Sequence, residues 1–150
     1  MNIHEPVAVN ESLGVMHSLV RSENVRLMED ELAAIGIDLR YTQFLILKKL
    51  TRLGPMSASE LARKVELDGG AMTRQLDQLE HKGYLRRCPH EQDRRTLRIE
   101  LTAAGAALSQ QLTDCGARVM DAAQRSLSET ERTRLQDYLT RVLHALRDKA

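Results

Sequence analysis

Between Lys82 and Arg98 the chain carries six Lys or Arg residues against two acids, and two of the six follow an aspartate as Asp93-Arg94-Arg95. A guanidinium is a planar, permanently charged fork of donors, suited to phosphate oxygens and to the acceptor edges of bases. Asp93 and Arg95 stand two apart, so in an extended segment their side chains project to one side. A carboxylate placed there can hold the guanidinium in a fixed fork. An arginine presented at a hairpin tip can enter a narrow minor groove, where the potential is most negative. Arg86, Arg87, His90 and Arg98 are phosphate candidates around it, although Arg86 can equally pair with an acid inside the domain.

A second set of polar residues precedes this one. Thr73, Arg74, Gln75 and Gln78 lie off the apolar face of a helical stretch, together with Ala71 and Asp77. Arg74 can bind guanine O6 and N7 with two hydrogen bonds, Gln75 can pair with adenine, and Thr73 can meet a thymine methyl or a phosphate. Gly69 and Gly70, behind Asp68, permit close backbone approach, and amides at a helix N-terminus suit a phosphate. Ser57 and Ser59 can touch a nucleic-acid backbone as well as begin a helix. Two alternatives stay open: Arg74 can pair within its own helix with Asp77 or Gln78, and Gln75 can be an ordinary surface residue.

The elements that must position these groups are legible in the periodicity. Ser57-Ala-Ser-Glu60 has the form of a capping box, and Leu61 and Val65 give the short helix behind it an apolar face. Asp68-Gly69-Gly70 interrupts, and a second helix starting at about Gly70 carries Met72, Leu76 and Leu79 at i, i+4, i+7. Two such helices about a glycine-containing turn form a helix-turn-helix, whose second helix enters the major groove. After Gly83 the chain turns strand-like over Tyr84 to Cys88, crosses a polar tip, and returns as Thr96 to Leu101 with period-2 alternation. The expected fold is mainly α with a small β-hairpin wing, a winged helix-turn-helix with long terminal helices.

The order ELARKVELDGGAMTRQLDQLEHKGYLRR, then DRRTLRIELTAAG, resembles the multiple-antibiotic-resistance regulator (MarR) family of bacterial transcription factors. The similarity runs from about Tyr41 to Gly105. Its specific parts are Thr73-Arg74, Leu79-Glu80-x-x-Gly83, Asp93-Arg94-Arg95 and Ile99-x-Leu-Thr-x-x-Gly105, with Ile99 in place of the family's leucine. The resemblance implies Arg95 as the minor-groove residue, Asp93 as its orienter and Arg94 at phosphate. It also implies a homodimer, a palindromic double-stranded DNA operator, and a small phenolic or oxidant effector.

Around this lobe, residues 1–10 read as a loose arm with Pro6. A first helix is expected over about Asn10 to Ile35, with Leu13, Met16, Val20, Leu27 and Leu32 apolar and Gly36 as a left-handed cap. A second is expected over Tyr41 to Leu53. Thr102 can cap a long helix whose apolar positions Leu108, Leu112, Cys115, Val119 and Ala122 step by four and three. Ser128-Glu-Thr-Glu131 is another capping box, opening a helix with Leu135, Leu139, Val142 and Leu146. The division is thus 1–35 as arm and dimerisation helix, 36–102 as the DNA-binding lobe, and 103–150 as dimerisation helices. Apolar seams left over after folding usually find a second chain; the competing arrangement packs them back on their own domain.

Composition narrows the function further. Net charge is +1, so basic character is local and not global. Aromatic content is 3% without Trp, which leaves aliphatic residues and Met to build a helix-on-helix core. No apolar run is long enough to span a membrane, and Met1 to Gly14 lack a basic and apolar leader pattern, so a cytoplasmic location is expected. Two cysteines, Cys88 and Cys115, lack metal-ligand spacing. Cys88 beside Arg86 and Arg87 could have a lowered thiol pKa, which keeps a redox-sensing regulator open; Cys115 reads as a small buried hydrophobe. His17 and Arg21 at i, i+4, with Arg40 and Tyr41, could frame a pocket for an aromatic carboxylate or could be an ordinary polar face. No Gly-rich phosphate loop, zinc motif or supported nucleophile–base pair points to an enzyme or to a cofactor. A winged helix that binds only proteins is the competing class, and it would not need an oriented Asp93–Arg95 pair.

Overall fold

The structure is a computed structural model, and it describes residues 12–149. The expected N-terminal arm and the first residues of the first expected helix lie outside the described residues. α1 runs Leu13–Ala34, with the Ser12 hydroxyl accepting from the Val15 amide at its start. Its other end closes around Gly36, whose φ of 78° no β-carbon residue adopts readily. There Gly36 N–H donates to Ala33 O and Ile37 N–H donates to Leu32 O, the paired bonds of a left-handed helix stop. Ile37 is buried with Leu32, so the stop also turns the chain into the core.

α2 occupies Tyr41–Leu53, as expected, and buries Phe44, Ile46, Leu47 and Leu50. α3 (Ala58–Val65) and α4 (Gly69–His81) form the helix-turn-helix. Leu61 from α3 and Met72, Leu76 and Leu79 from α4 are almost wholly buried, joined by Leu85 and Ile99 from the wing. The Ser57 hydroxyl accepts from Glu60 N–H at 3.2 Å, but the reciprocal half of the expected capping box is replaced by a Ser57 hydroxyl contact with the Glu60 carboxylate at 3.4 Å. The reason lies in the backbone. Met56–Ser57 is itself a strand, β1, and pairs with the wing.

The sheet is antiparallel in the order β1-β3-β2, where β2 is Leu85–Pro89 and β3 is Leu97–Leu101. Its register sets Leu85 opposite Leu101, Arg87 opposite Ile99 and Met56 opposite Ile99. Ile99 therefore stands in the central strand, where its β-branched side chain seals the underside of the lobe.

β3 runs straight into the C-terminal helices through Thr102. Its hydroxyl donates to Gly83 O at 2.6 Å and accepts from Gly105 N–H at 3.1 Å, and its amide donates to Tyr84 O. Gly105 is buried, and a β-carbon there would collide with the Tyr84 carbonyl. The Thr-x-x-Gly spacing is thus a physical lock between the wing's entry and the helix that follows.

The long helix expected after Thr102 is broken at Leu108 into α5 (Ala103–Ala107) and α6 (Ser109–Gln124). Leu112, Cys115 and Val119 of its seam are buried within the chain. Arg118 on α6 pairs with Glu31 on α1 at 3.1 Å. This corrects the expectation that the α6 seam is left over for a second chain. α7 (Glu129–Asp148) differs: it opens on a complete capping box at Ser128 and Glu131, and none of its residues is buried. Leu135, Tyr138, Leu139, Leu143 and Leu146 stand exposed, as do Leu13, Val15, Leu19 and Val20 on α1. No helix among the described residues is long and apolar enough to cross a membrane.

Candidate nucleic-acid interface

α4 is held at both ends. Asp68, expected to interrupt the chain, is the N-cap of α4: its Oδ1 accepts from Ala71 N–H at 2.8 Å. That places Gly69 and Gly70 in the first turn, exposed, with amides that have no intrahelical acceptor. Ala71 is half-buried. Thr73 is exposed and its hydroxyl donates to Gly69 O at 2.9 Å, which leaves the oxygen able to accept. Arg74 is exposed and makes no ion pair among the described residues, so the expected alternative of an intrahelical pair is not formed. Ser59 is exposed in the first turn of α3, while the Ser57 hydroxyl is engaged as that helix's cap.

Two glutamines depart from the sequence expectation. Gln75 is half-buried and its Oε1 is buried without a hydrogen-bond partner among the described residues. It lies on the flank of the Met72–Leu79 stripe, so its amide oxygen faces protein and not an adenine. Gln78 is exposed, but its Oε1 accepts from Gln43 Nε2 at 2.7 Å. Gln43, on α2, is the one buried polar residue of the core among the described residues, at 1% exposure.

The base of the wing is fastened to α4. Arg87 was a phosphate candidate. Instead its guanidinium donates to Asp77 at 2.8 Å and to Glu80 at 3.1 Å, and its own N–H donates to Glu80 Oε2 at 3.1 Å. Its side chain is only 22% exposed. The reason is register: Asp77 and Glu80 stand three apart on the face of α4 that packs against β2, and the Arg87 side chain leaves β2 toward them. Arg87 is a rivet between recognition helix and wing, not a free cation.

Arg86 resolves likewise toward an internal pair. It faces Glu100 across the hairpin and donates to that carboxylate at 2.6 Å. Cys88 Sγ lies 3.2 Å from the same Glu100 oxygen. The thiol's pKa is consequently raised, first by its hydrogen bond to Glu100 and then by burial, and Arg86 opposes this only weakly. Glu100 is pulled down by the same thiol and by Arg86. The expected lowering of the Cys88 pKa is therefore reversed: Arg86 acts less on the thiol than the carboxylate it binds, and Arg87 is turned away to α4. Cys115 is also raised, by burial.

At the tip, Asp93 engages Arg95 and Thr96 through a backbone amide and a hydroxyl, not through the guanidinium. Its Oδ1 accepts from Arg95 N–H at 3.1 Å and its Oδ2 accepts from the Thr96 hydroxyl at 3.2 Å. Thr96 N–H returns to Asp93 O at 3.0 Å, and His90 N–H donates to Thr96 O at 2.8 Å. The expected carboxylate–guanidinium fork is absent among the described contacts. Asp93 instead shapes the turn, as Asp side chains do by mimicking a backbone acceptor, and Arg94 and Arg95 project from it exposed. His90 Nδ1 accepts from Gln92 N–H. Arg98 donates to Pro55 O at 3.1 Å, tying the wing to the strand before α3. A cleft of about 310 Å³ lies between the two, lined by Ser57, Glu60, His90, Asp93 and Arg98 among others.

Among the described residues, no hydrogen bond or ion pair joins any two of the four residues expected to frame an effector pocket. His17 and Arg21 are exposed on α1. Arg40 pairs with Glu29 at 3.2 Å, and the Tyr41 hydroxyl accepts from Asn24 at 3.3 Å. Sequence reasoning missed Gln43 and Glu100, and it gave neither Asp77 nor Glu80 as a partner of Arg87. Gln43 was findable, because it stands four before Leu47 and seven before Leu50 on the buried stripe of α2.

Exposed Arg74 near the head of α4 and exposed Arg94 and Arg95 at the wing tip thus stand on elements locked to one another. The MarR family model matches residues 39–97. The multiple antibiotic resistance protein MarR of Salmonella typhimurium is 34% identical over 99 residues, 66% of this chain and 67% of the relative. The HTH-type transcriptional regulator SarZ of Staphylococcus haemolyticus is 31% identical over 106 residues, 71% of each. Among solved structures, a mutant MarR from E. coli complexed with operator DNA superposes with a TM-score of 0.80 at 30% identity, over 87% of this chain and 93% of that one. By this likeness in sequence and in fold, the chain belongs to the MarR family of winged-helix transcriptional regulators.

Proposed function

We propose that this chain works as a homodimer that represses transcription from an inverted-repeat operator and lets go when a small aromatic or phenolic molecule binds. The observation that carries the DNA reading is the joint presence of exposed Arg74 and Arg95, whose guanidiniums have no partner among the described residues, on two elements joined by the Arg87 rivet. Arg74 and Thr73 enter the major groove from the first turns of α4, and Arg95 enters the adjacent minor groove. Arg94 meets phosphate, with the Gly69 and Gly70 amides as neutral donors beside it. A basic tip held by a shaped turn has no evident use in a module that binds only proteins.

Dimerisation is supported by the apolar residues of α7 and of the first half of α1. Residues 36–102 then act as the reading lobe, carried between 1–35 and 103–150. One lobe per chain and two-fold symmetry place half-site centres about one helical turn, roughly 10 bp, apart. For the effector, His17 and Arg21 beside exposed Leu13 and Val20 on the same side of α1 offer a cation next to an apolar surface, which a second copy would enclose. Redox control through Cys88 is disfavoured by its raised pKa, since the thiolate is the reactive form.

Recovery and sequencing of genomic fragments bound by the purified protein tests the reading. Enrichment of an inverted repeat with that spacing supports it. Recovery of random fragments alone overturns it.

A further inference from the structure

Gln43 stands at the third position of α2, buried to 1%, and touches the recognition helix at two points. Its Oε1 faces Arg40 N–H at 3.1 Å and the Lys82 ammonium at 3.4 Å. Lys82 is in turn held by Asp38 O at 2.6 Å. Both groups facing that oxygen can only donate. The atom between them must be the carbonyl oxygen, so Nε2 points the other way, to Gln78. Only the oxygen of Gln78 can answer an N–H, and it lies there at 2.7 Å. The amino group of Gln78 is left facing outward, without a protein partner among the described residues.

We propose that Gln43 is a positioning residue that sets the polarity of Gln78, so that Gln78 offers DNA a donor only. This rests on the reading of α4 as the DNA-recognition helix. A free glutamine can present either end of its amide, and with both ends it makes the two-bond pair with adenine N6 and N7. The relay forbids that pair. Turning the Gln78 amide would set amino group against amino group at Gln43 and lose a hydrogen bond, a roughly tenfold penalty. Gln78 therefore takes an acceptor: a phosphate oxygen, guanine O6 or N7, or thymine O4. It stands four residues after Arg74, one turn along nearly the same face, so the two residues face one stretch of duplex.

Gln43→Glu is the test, because it reverses the relay with almost no change in shape. One carboxylate oxygen still accepts from Arg40 N–H and Lys82. The other can only accept, so Gln78 must turn its amino group inward and its oxygen outward. The new charge sits in the first turn of α2, where a carboxylate is favoured, and beside an ammonium. Operator and random-duplex affinities of the full-length protein would be measured by fluorescence anisotropy, with each half-site base varied in turn. The operator should bind about tenfold more weakly. If Gln78 meets a base, preference at one position per half-site should move toward adenine or cytosine, which carry an amine in the groove. If it meets phosphate, random duplex should weaken by the same factor. In a Gln78→Ala background, Gln43→Glu should change nothing further.

Should Gln43→Glu not fold, Gln43→Leu decides: it frees the Gln78 amide, and a several-fold weaker operator complex from a variant still fully folded at the assay temperature supports the relay. Operator affinity and base preference equal to the parent's in a folded Gln43 variant overturn the proposal while leaving the DNA reading intact. A parent protein that selects no sequence overturns the DNA reading itself.

Discussion

Asp93→Ala should weaken operator binding although it removes a negative charge from a surface that meets phosphates. The magnitude comes from the turn. Asp93 makes two side-chain hydrogen bonds, to Arg95 N–H and to the Thr96 hydroxyl, at 3.1 and 3.2 Å. Exposed bonds of this kind contribute about 0.5–1.5 kcal/mol each in folding, and without them Arg94 and Arg95 must be ordered at each binding event. Fixing one residue's backbone costs about 1–2 kcal/mol, of which a short hairpin tip already constrains a large part. Against this, removing one charge roughly 10 Å from a phosphate gains about 0.4 kcal/mol in water, less in salt. The balance is a loss of about 0.5–1.5 kcal/mol, roughly two- to tenfold, for each wing.

Asp93→Asn separates this mechanism from a carboxylate–guanidinium fork. Its Oδ1 can still accept from Arg95 N–H, and its amino group can donate to the Thr96 hydroxyl oxygen. The backbone mechanism expects Asn to keep nearly parental affinity, whereas a fork needs the full charge. Anisotropy titrations of the three proteins on one operator duplex at two salt concentrations make the comparison. Tighter binding by Asp93→Ala, or an Asn variant as weak as Ala, would refute the reasoning.

Arg87→Ala should lower thermal stability and operator affinity together, by about 0.5–1.5 kcal/mol in unfolding, because the half-buried guanidinium joins two carboxylates that stay open to water; calorimetry and titration of the same preparation check both, and an unchanged melting temperature would remove the rivet. Leu139→Glu with Leu143→Glu, on the exposed face of α7, should yield a folded monomer in sedimentation at low micromolar concentration, and a dimer that survives both changes would move the interface elsewhere. Cys88 should react slowly with iodoacetamide at pH 7, and mild peroxide should leave operator affinity unchanged. Because both thiols titrate higher when folded than unfolded, their contribution to stability is complete below about pH 8.5 and declines as pH rises through the folded values. Stability that increases over that range would contradict the assigned shifts.

Local rules made most of the lobe legible before any coordinates. Apolar steps of three and four located α2 and α4, and Ser57 and Ser128 marked helix starts that the structure places one residue later. The resemblance added the roles of Asp93, Arg94 and Arg95 and the Thr-x-x-Gly motif, whose cause, a carbonyl packed on Gly105, no local pattern contains. What escaped is long-range. β1 is two residues long and exists only as a partner of β3, so it carries no alternation to detect. Arg87 and Arg94 look alike in the chain, yet strand register sends the first into two carboxylates and leaves the second in water. Cys88 lies among arginines in sequence but against Glu100 in space. The α6 seam repeats like that of α7, and only the packing of α1 and α2 against it distinguishes a buried stripe from a free one.

The central claim is that α4 and the wing read DNA as one rigid unit through Arg74 and Arg95. The ratio of operator to random-duplex affinity at about 150 mM salt tests it most directly, for the parent, Arg74→Ala, Arg95→Ala and the double variant. The account predicts a parental ratio of at least about 10³. Each single variant should lose on the order of 1–3 kcal/mol of operator affinity, and random-duplex affinity should change far less. A parental ratio near one, or single variants that lose operator and random-duplex affinity equally, would show this surface to be a basic patch that reads no sequence.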